Sequence, residues 1–456
     1  IAKTTDRERE ILKFSFLFSR RQFKGIRLHM SIEHINTYAF YDKRLLFICF
    51  ISILFYRAGM FELETSLPVE DLEGLLKQSL GPALKIKHVT WKHLTDPGEN
   101  FGSLILAVTA SIIENSSLNT LNIVVKLPPK SAYLIDLFNS PLTFKKELCF
   151  YSDIIPALID LYRQSDLHEQ ELNNFEFDSQ AAIILENLTS SGYSVQDRIM
   201  GLDEEHVKFA VKELAKLHAL IICLKTKRRD FFENIVLPAL KPPANETAKK
   251  CVMDMIQKAH GDIKSLEAAK PYLDNVEKTL HCEHDEDINS NQQKDIWATL
   301  VHNDFWVNNM MFCHDTSGHI TGMKIVDFQL CIHDYGVQDL IFFLISSSNK
   351  EVIDNHLDEI IDLYYDSFVN FLNKLGVDTK QYTKREFLEL LNKCAPQKFS
   401  QCIMMVPVIQ AARISPSEVK NMENKEKLLQ RETNNIGNQK LLHIVETFAK
   451  RKWLLR

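Results

Sequence analysis

The sequence predicts an α+β protein of two unequal parts, a small sheet-rich lobe followed by a larger, mainly helical lobe. Apolar β-like runs crowd residues 84–127. A long amphipathic pattern of helical period begins at Asp203. From residue 338 to the C-terminus the chain reads as successive helices. Strands gathered at one end and helices at the other define that fold class. The chain has 456 residues, about three times a domain of roughly 150. With 45% apolar and 25% charged residues, it is neither a disordered chain, nor a collagen, nor a polytopic membrane protein.

Residues 1–59 differ from the rest. They carry a net charge of +6, whereas the remaining 397 residues carry −12. The apolar run Leu45 to Tyr56 (LLFICFISILFY) falls well short of the ~20 residues of a membrane span. No stable span is expected, and the run lies too far from the N-terminus for an ordinary signal peptide. A different texture opens at Met60, and the natural protein is expected to begin there. Residues 1–59 are then a basic extension outside the fold, carried in by a gene model. After Met60, Leu72, Leu75, Leu76 and Leu80 recur at helical spacing, with Pro68 before them and Gly81-Pro82 after.

LKIKHVTWKHL (84–94) reads as a strand, followed by a turn at Asp96-Pro97-Gly98. SLILAVTASII and LNIVVKL flank a polar turn at Glu114 to Asn119, an antiparallel hairpin. Residues 143–165 read as a helix and AAIILENL (181–188) as a buried strand. Val207, Ala210, Val211, Leu214, Leu217, His218 and Ile221 form one apolar stripe. Residues 228–296 are mainly helical, with a charged loop at His281 to Asp295, and two short strands flank a turn near 310–326. The expected division is 60–188 for the nucleotide-binding lobe and 189–456 for the lobe with the catalytic loop and substrate helices.

The acidic body argues against non-specific binding along nucleic acid, which needs many cations. Nine cysteines, an odd number without a C-x-x-C, point to a reducing compartment, expected to be the cytoplasm.

The chemistry is concentrated in 301–328. His302-x-Asp304 is followed by Asn309, and Asp327 closes the β-like run KIVDF. Phosphoryl transfer from ATP needs this inventory. One carboxylate accepts the proton of the attacking hydroxyl, while an amide and a second carboxylate hold Mg²⁺. H-x-D-x-x-x-x-N alone is a weak signal, but followed by a strand ending in Asp-Phe it is strong. The reading requires further parts upstream. Lys126, ending IVVK, would grip the phosphates, and Glu147 in FKKELCFY would orient it. Gly98, Gly102 and Ser103 would lie in a backbone loop over the phosphates. Leu185-Glu186-Asn187-Leu188 would be the hinge, where backbone groups of Glu186 and Leu188 pair with adenine. Each signal is modest, and all occur in the required order.

These segments carry a resemblance. VVKLPP (124–129), KELCFY (146–151), IILENLTSSGYSVQDR (183–198), LAKLHAL (214–220), LVHNDFWVNNMMF (300–312), KIVDFQ (324–329) and QDLIFFL (338–344) resemble the insect ecdysteroid-kinase-like proteins. That family is also called CHK kinase-like and is related to choline kinase and aminoglycoside phosphotransferases. The resemblance covers nearly all of 60–456. It implies a two-lobed protein-kinase-like fold, its small N-lobe an antiparallel sheet with one helix. It also implies ATP- and Mg²⁺-dependent phosphorylation of a small-molecule hydroxyl, with an ecdysteroid or related alcohol as acceptor, by a monomer. Lys126 would bind the α/β-phosphates and pair with Glu147. Asp304 would be the base, and Asn309 and Asp327 the metal ligands. His302 would brace the loop, and Asp339 would tie the following helix to it.

Two positions depart from the family pattern. Asn303 stands where Gly is usual, and asparagine is the residue that best tolerates left-handed backbone. Asn187 stands where Asp is usual, at a site that works through backbone. The rivals are a nucleotide-binding module without turnover, a protein kinase, and a choline or aminoglycoside kinase. Gln329 after Asp-Phe and the lack of A-P-E speak against a protein kinase. His218 reads as a satisfied core histidine, Trp306 as a packing anchor and His281 to Asp287 as a solvated loop. No G-x-S-x-G, Walker A or H-E-x-x-H is present.

Overall fold

The computed structural model describes residues 50–53, 67–69, 71–94, 102–114, 117–163, 181–242, 245–281, 295–410 and 433–456. It has the predicted α+β architecture. The N-terminal part is one antiparallel sheet of strands β1 (Phe50–Ile53), β2 (Lys85–His93), β3 (Leu104–Glu114), β4 (Ser117–Leu127) and β5 (Ala181–Glu186), in the order β1-β5-β4-β3-β2. Strand β1 comes from the segment expected to lie outside the fold and pairs with β5, Phe50 opposite Ile184. Without it β5 would present an unpaired edge. The start expected at Met60 lies outside the described residues. The β3–β4 hairpin turns between Glu114 and Ser117, two residues wider than no loop at all and tighter than the turn expected from the sequence.

Strand alternation decides where Lys126 points. Ile123 and Val125 of β4 pack with Leu72, Leu75 and Leu76 of helix α1 (Leu72–Leu80), which the Asp71 side chain caps by accepting from the Gly74 amide at 2.8 Å. Successive strand residues face opposite ways. Val124 and Lys126 therefore face the other side, where Val124 joins the cluster of Phe144, Ile183 and Leu185. Helix α2 (Ala132–Leu137) leads into α3 (Ser140–Cys149), a wider π-type turn at Phe150–Ile154 and α4 (Ile155–Arg163), and α3 and α4 contribute to that same cluster. The sequence merges α3 and α4 into one helix and misses α2.

The C-terminal part is built around α5 (Glu204–Lys227), whose apolar stripe is buried throughout. Asp203 caps it, its carboxylate accepting from the His206 amide at 3.0 Å. Asp203→Ala should cost about 1 kcal/mol, read as a small fall in melting temperature; an unchanged melting curve would contradict the cap. Helices α6 (Glu246–Ser265) and α7 (Leu273–Leu280) follow. Strand β6 (Tyr193–Val195), which precedes α5, joins β7 (Ala298–Val301), β8 (Met310–His314), β9 (Ile320–Ile325) and β10 (Ile332–Tyr335) in two small sheets, β6-β8-β9 and β10-β7. The β8–β9 hairpin turns where expected, with Gly318 at φ +86° and the Asp315 carboxylate accepting from the Ser317 and His319 amides. Helix α8 (Val337–Ser347) is buried on all sides. It packs on α10 (Lys384–Met404), α9 (Leu357–Lys374) packs on α5, and α11 (Asn435–Lys450) closes the fold. Among the described residues no helix is long and apolar enough to cross a membrane.

Candidate active site

Residues 302–309 form a loop between β7 and β8, and a buried carboxylate organises its start. Asp339, in the first turn of α8, accepts from the His302 amide at 2.6 Å and the Asn303 amide at 2.8 Å. His218 of α5 lies 3.3 Å from the same carboxylate through Nε2, and its Nδ1 lies 2.6 Å from the Tyr364 hydroxyl. A carboxylate partner requires Nε2–H, so Nδ1 accepts from tyrosine. His218 is thus the satisfied core histidine read from its stripe. The donors aimed at Asp339 hold its carboxyl below the usual range despite burial.

His302 is fully buried, and its Nε2 lies 3.1 Å from the Val326 carbonyl, joining the loop to the segment before Asp327. Burial keeps this imidazole below its ordinary value. Asn303 adopts φ +63°, the left-handed geometry that the usual glycine would take without strain. Asp304 follows. Asn309 donates both to the Asp304 carbonyl and to its Oδ2, each at 2.8 Å. Burial, and then the nearby charge of Asp327, push the Asp304 carboxyl up to about 7, against hydrogen bonds from the Asn309 and Trp306 side chains. Trp306 is itself buried, as a packing anchor should be.

Asp327 also holds a left-handed conformation, φ +69°. Its Oδ1 accepts from Lys126 at 2.9 Å, and Lys126 also donates to Glu147 at 2.7 Å. These three residues come from β4, α3 and the end of β9, and the fold brings them to one point. The lysine is almost wholly buried, yet its two carboxylate neighbours hold it charged against the cost of desolvation. Phe328 fixes the turn by stacking on Phe150, ring centroids 3.8 Å apart. Lys146 donates to the carbonyls of Cys331 and Lys241, fastening α3 to the chain beyond Asp327.

The remaining expected residues are more scattered. Gly98 lies outside the described residues. Gly102 and Ser103 sit at the start of β3. A Cβ on Gly102 would come within 3.2 Å of Gln329 Nε2 and 3.3 Å of Phe138, so a larger residue would need both side chains to shift by a few tenths of an ångström. Glu186 ends β5 and accepts from the Ser191 hydroxyl at 2.6 Å. Asn187 caps the following turn, its side chain accepting from the Thr189 amide at 3.1 Å. Leu188 is buried.

The sequence reading missed Lys398 and Gln401 of α10, which reach Asn303. They belong to no motif, and no local pattern marks them. Most of the tract from His281 to Asp287 lies outside the described residues. Among those described, Glu204, His356 and Glu359 are grouped closely enough for a metal, but Lys208 bridges both glutamates.

The donor set suits a hard cation. Asn309 spends its side-chain amide hydrogens on Asp304, which leaves its side-chain oxygen uncommitted among the described residues, and Asp327 offers a carboxylate.

The family match puts a chain of this fold among the small-molecule kinases. The chain belongs to the ecdysteroid kinase-like family, whose model matches residues 97–377. Comparison with curated proteins finds no match. Similar solved structures include an ethanolamine kinase from Plasmodium vivax, 11% identical, with a TM-score of 0.36 over 84% of this chain and 87% of that one. An amicoumacin kinase in complex with AMP-PNP and Ca²⁺ is 12% identical, with a TM-score of 0.33 over 81% of this chain and 94% of that one. A choline/ethanolamine kinase family protein from Mesorhizobium loti is 9% identical, with a TM-score of 0.31 over 78% and 92%.

Proposed function

We propose that the protein transfers the γ-phosphoryl group of ATP, with Mg²⁺, to a hydroxyl of a small molecule, an ecdysteroid or a related alcohol. The observation that carries the reading is the Lys126 amine held between Glu147 and Asp327, in a chain that also places Asn309 against Asp304. Asp304 takes the proton of the acceptor hydroxyl as its oxygen attacks phosphorus. A carboxyl raised toward about 7 suits a base working near neutral pH. Lys126 draws the phosphate oxygens and offsets their charge, and Glu147 orients it. Backbone of Glu186 and Leu188 reads adenine, and Gly102 and Ser103 lie toward the phosphates. His302 and Asp339 hold the loop. Asn309 and Asp327 would hold the metal, which when bound offsets charge on the triphosphate.

A nucleotide-binding module without turnover was suggested by Asn303. Its backbone takes the geometry that a glycine would supply, which favours the active reading.

The test is ADP release from the purified chain across ecdysteroids, choline and other alcohols, with Asp304→Asn as control. Acceptor-dependent release by the wild type alone is expected. Equal signals from both would overturn the kinase reading, and release with choline but no steroid would reassign the acceptor.

A further inference from the structure

We propose that Lys398 and Gln401 of α10 clamp Asn303 and thereby set the position of Asp304, tying a C-terminal helix to the catalytic loop. What Asp304 does rests on the kinase reading above; the clamp itself does not.

Asn303 immediately precedes Asp304 and holds φ +63°. A residue with a side chain persists in that region when its surroundings over-determine it. Here three of its polar atoms are fixed from two different helices. Its amide donates to Asp339 at 2.8 Å. Its carbonyl accepts from Gln401 Nε2 at 2.9 Å. Its side-chain oxygen accepts from Lys398 Nζ at 3.2 Å.

The arrangement also answers a need of the lysine. Lys398 is only 7% exposed, and a buried ammonium is costly unless its hydrogens find acceptors. It finds the Asn303 side chain and, at 2.8 Å, Gln401 Oε1. Burial lowers the tendency of this amine to hold its proton, while the Asp339 and Asp334 carboxylates oppose that. A glycine at 303 would free the backbone of strain but remove one of the two acceptors. Asn303 and Lys398 are therefore a matched pair. The asparagine gives the buried cation an oxygen, and the cation helps hold the asparagine in its unusual conformation. Neither residue touches the reacting atoms; both are positioning residues.

The test compares the full-length wild type, Asn303→Gly, Lys398→Met and the double variant. Three quantities are read: amide hydrogen exchange over residues 302–305, kcat with the KM for ATP, and the melting curve. Losing one such bond corresponds to about tenfold in an equilibrium. Each single variant should therefore exchange about tenfold faster at the loop and turn over about tenfold more slowly, with the KM for ATP unchanged. The double variant should be no worse than the worse single, because either change opens the same clamp. Multiplying effects, or an unchanged exchange rate in folded Lys398→Met, would overturn the proposal. If Lys398→Met does not fold, Gln401→Ala decides: it should speed exchange at the loop, and no change refutes the clamp. If the wild type turns over no acceptor, the kinase reading falls while the exchange data still decide the clamp.

Discussion

Asp327→Asn should lower turnover by at least about 10²–10⁴-fold, a loss comparable to that of a general base. Asparagine is the informative replacement because position 327 holds φ +69°, which asparagine tolerates and alanine does not. The backbone turn and the Phe150–Phe328 stack are then kept while one charge is removed. That charge faces Lys126 at 2.9 Å and lies on the side from which a cation would be held with Asn309. Nucleotide affinity, measured with and without Mg²⁺, should rise with the ion in the wild type and stay flat in the variant. A variant that keeps both turnover and the response to Mg²⁺ would remove Asp327 from the site.

The second large effect combines lost activity with gained stability. Asp304→Asn should cost about 10²–10⁴-fold in rate and yet make the unliganded protein more stable in alkaline solution. The sign follows from linkage. The carboxyl rises to about 7 in the fold from an ordinary value of about 4, so between those pH values the folded state binds a proton that the unfolded state has lost. Stability therefore falls as pH rises through that window. Asparagine has no proton to lose, so the variant should melt above the wild type at pH 8, with a smaller difference at pH 5. The wild type's kcat/KM should rise through about pH 7 as the base is freed. A wild-type melting temperature that rises over this range would contradict the buried, proton-holding Asp304.

The sequence was legible where structure is local. The β3–β4 hairpin, α5 with its Asp203 cap, the β8–β9 turn and the run from His302 to Asn309 are each decided within about thirty neighbouring residues, by period, punctuation and spacing. The pairing of Lys126 with Glu147 was expected from the parts a kinase needs and their order along the chain, and the two lie 2.7 Å apart. Pairings between distant short strands were not. β7 finds β10, and β6 finds β8, but strands of three or four residues carry too little alternation to name a partner. β1 was not read as a strand because it lies within the short apolar run of a basic segment, and such a run does not name the edge it pairs with. Lys398 and Gln401 were invisible for another reason. What makes them matter is a left-handed asparagine far away in the chain, and conformation is not written at the positions that respond to it.

Helix α3 has a consequence for how such a protein is governed. Lys126 grips it through Glu147, Lys146 ties it to two carbonyls, and the Phe150 ring continues its far end onto Phe328. In protein kinases the corresponding helix works as a throttle, and its placement is what activation controls. α3 is fastened at its C-terminal end: swinging that end outward would strand a buried ammonium and unstack two aromatic rings at once. On the kinase reading proposed above, the Lys126–Glu147 pair stands assembled in the chain by itself.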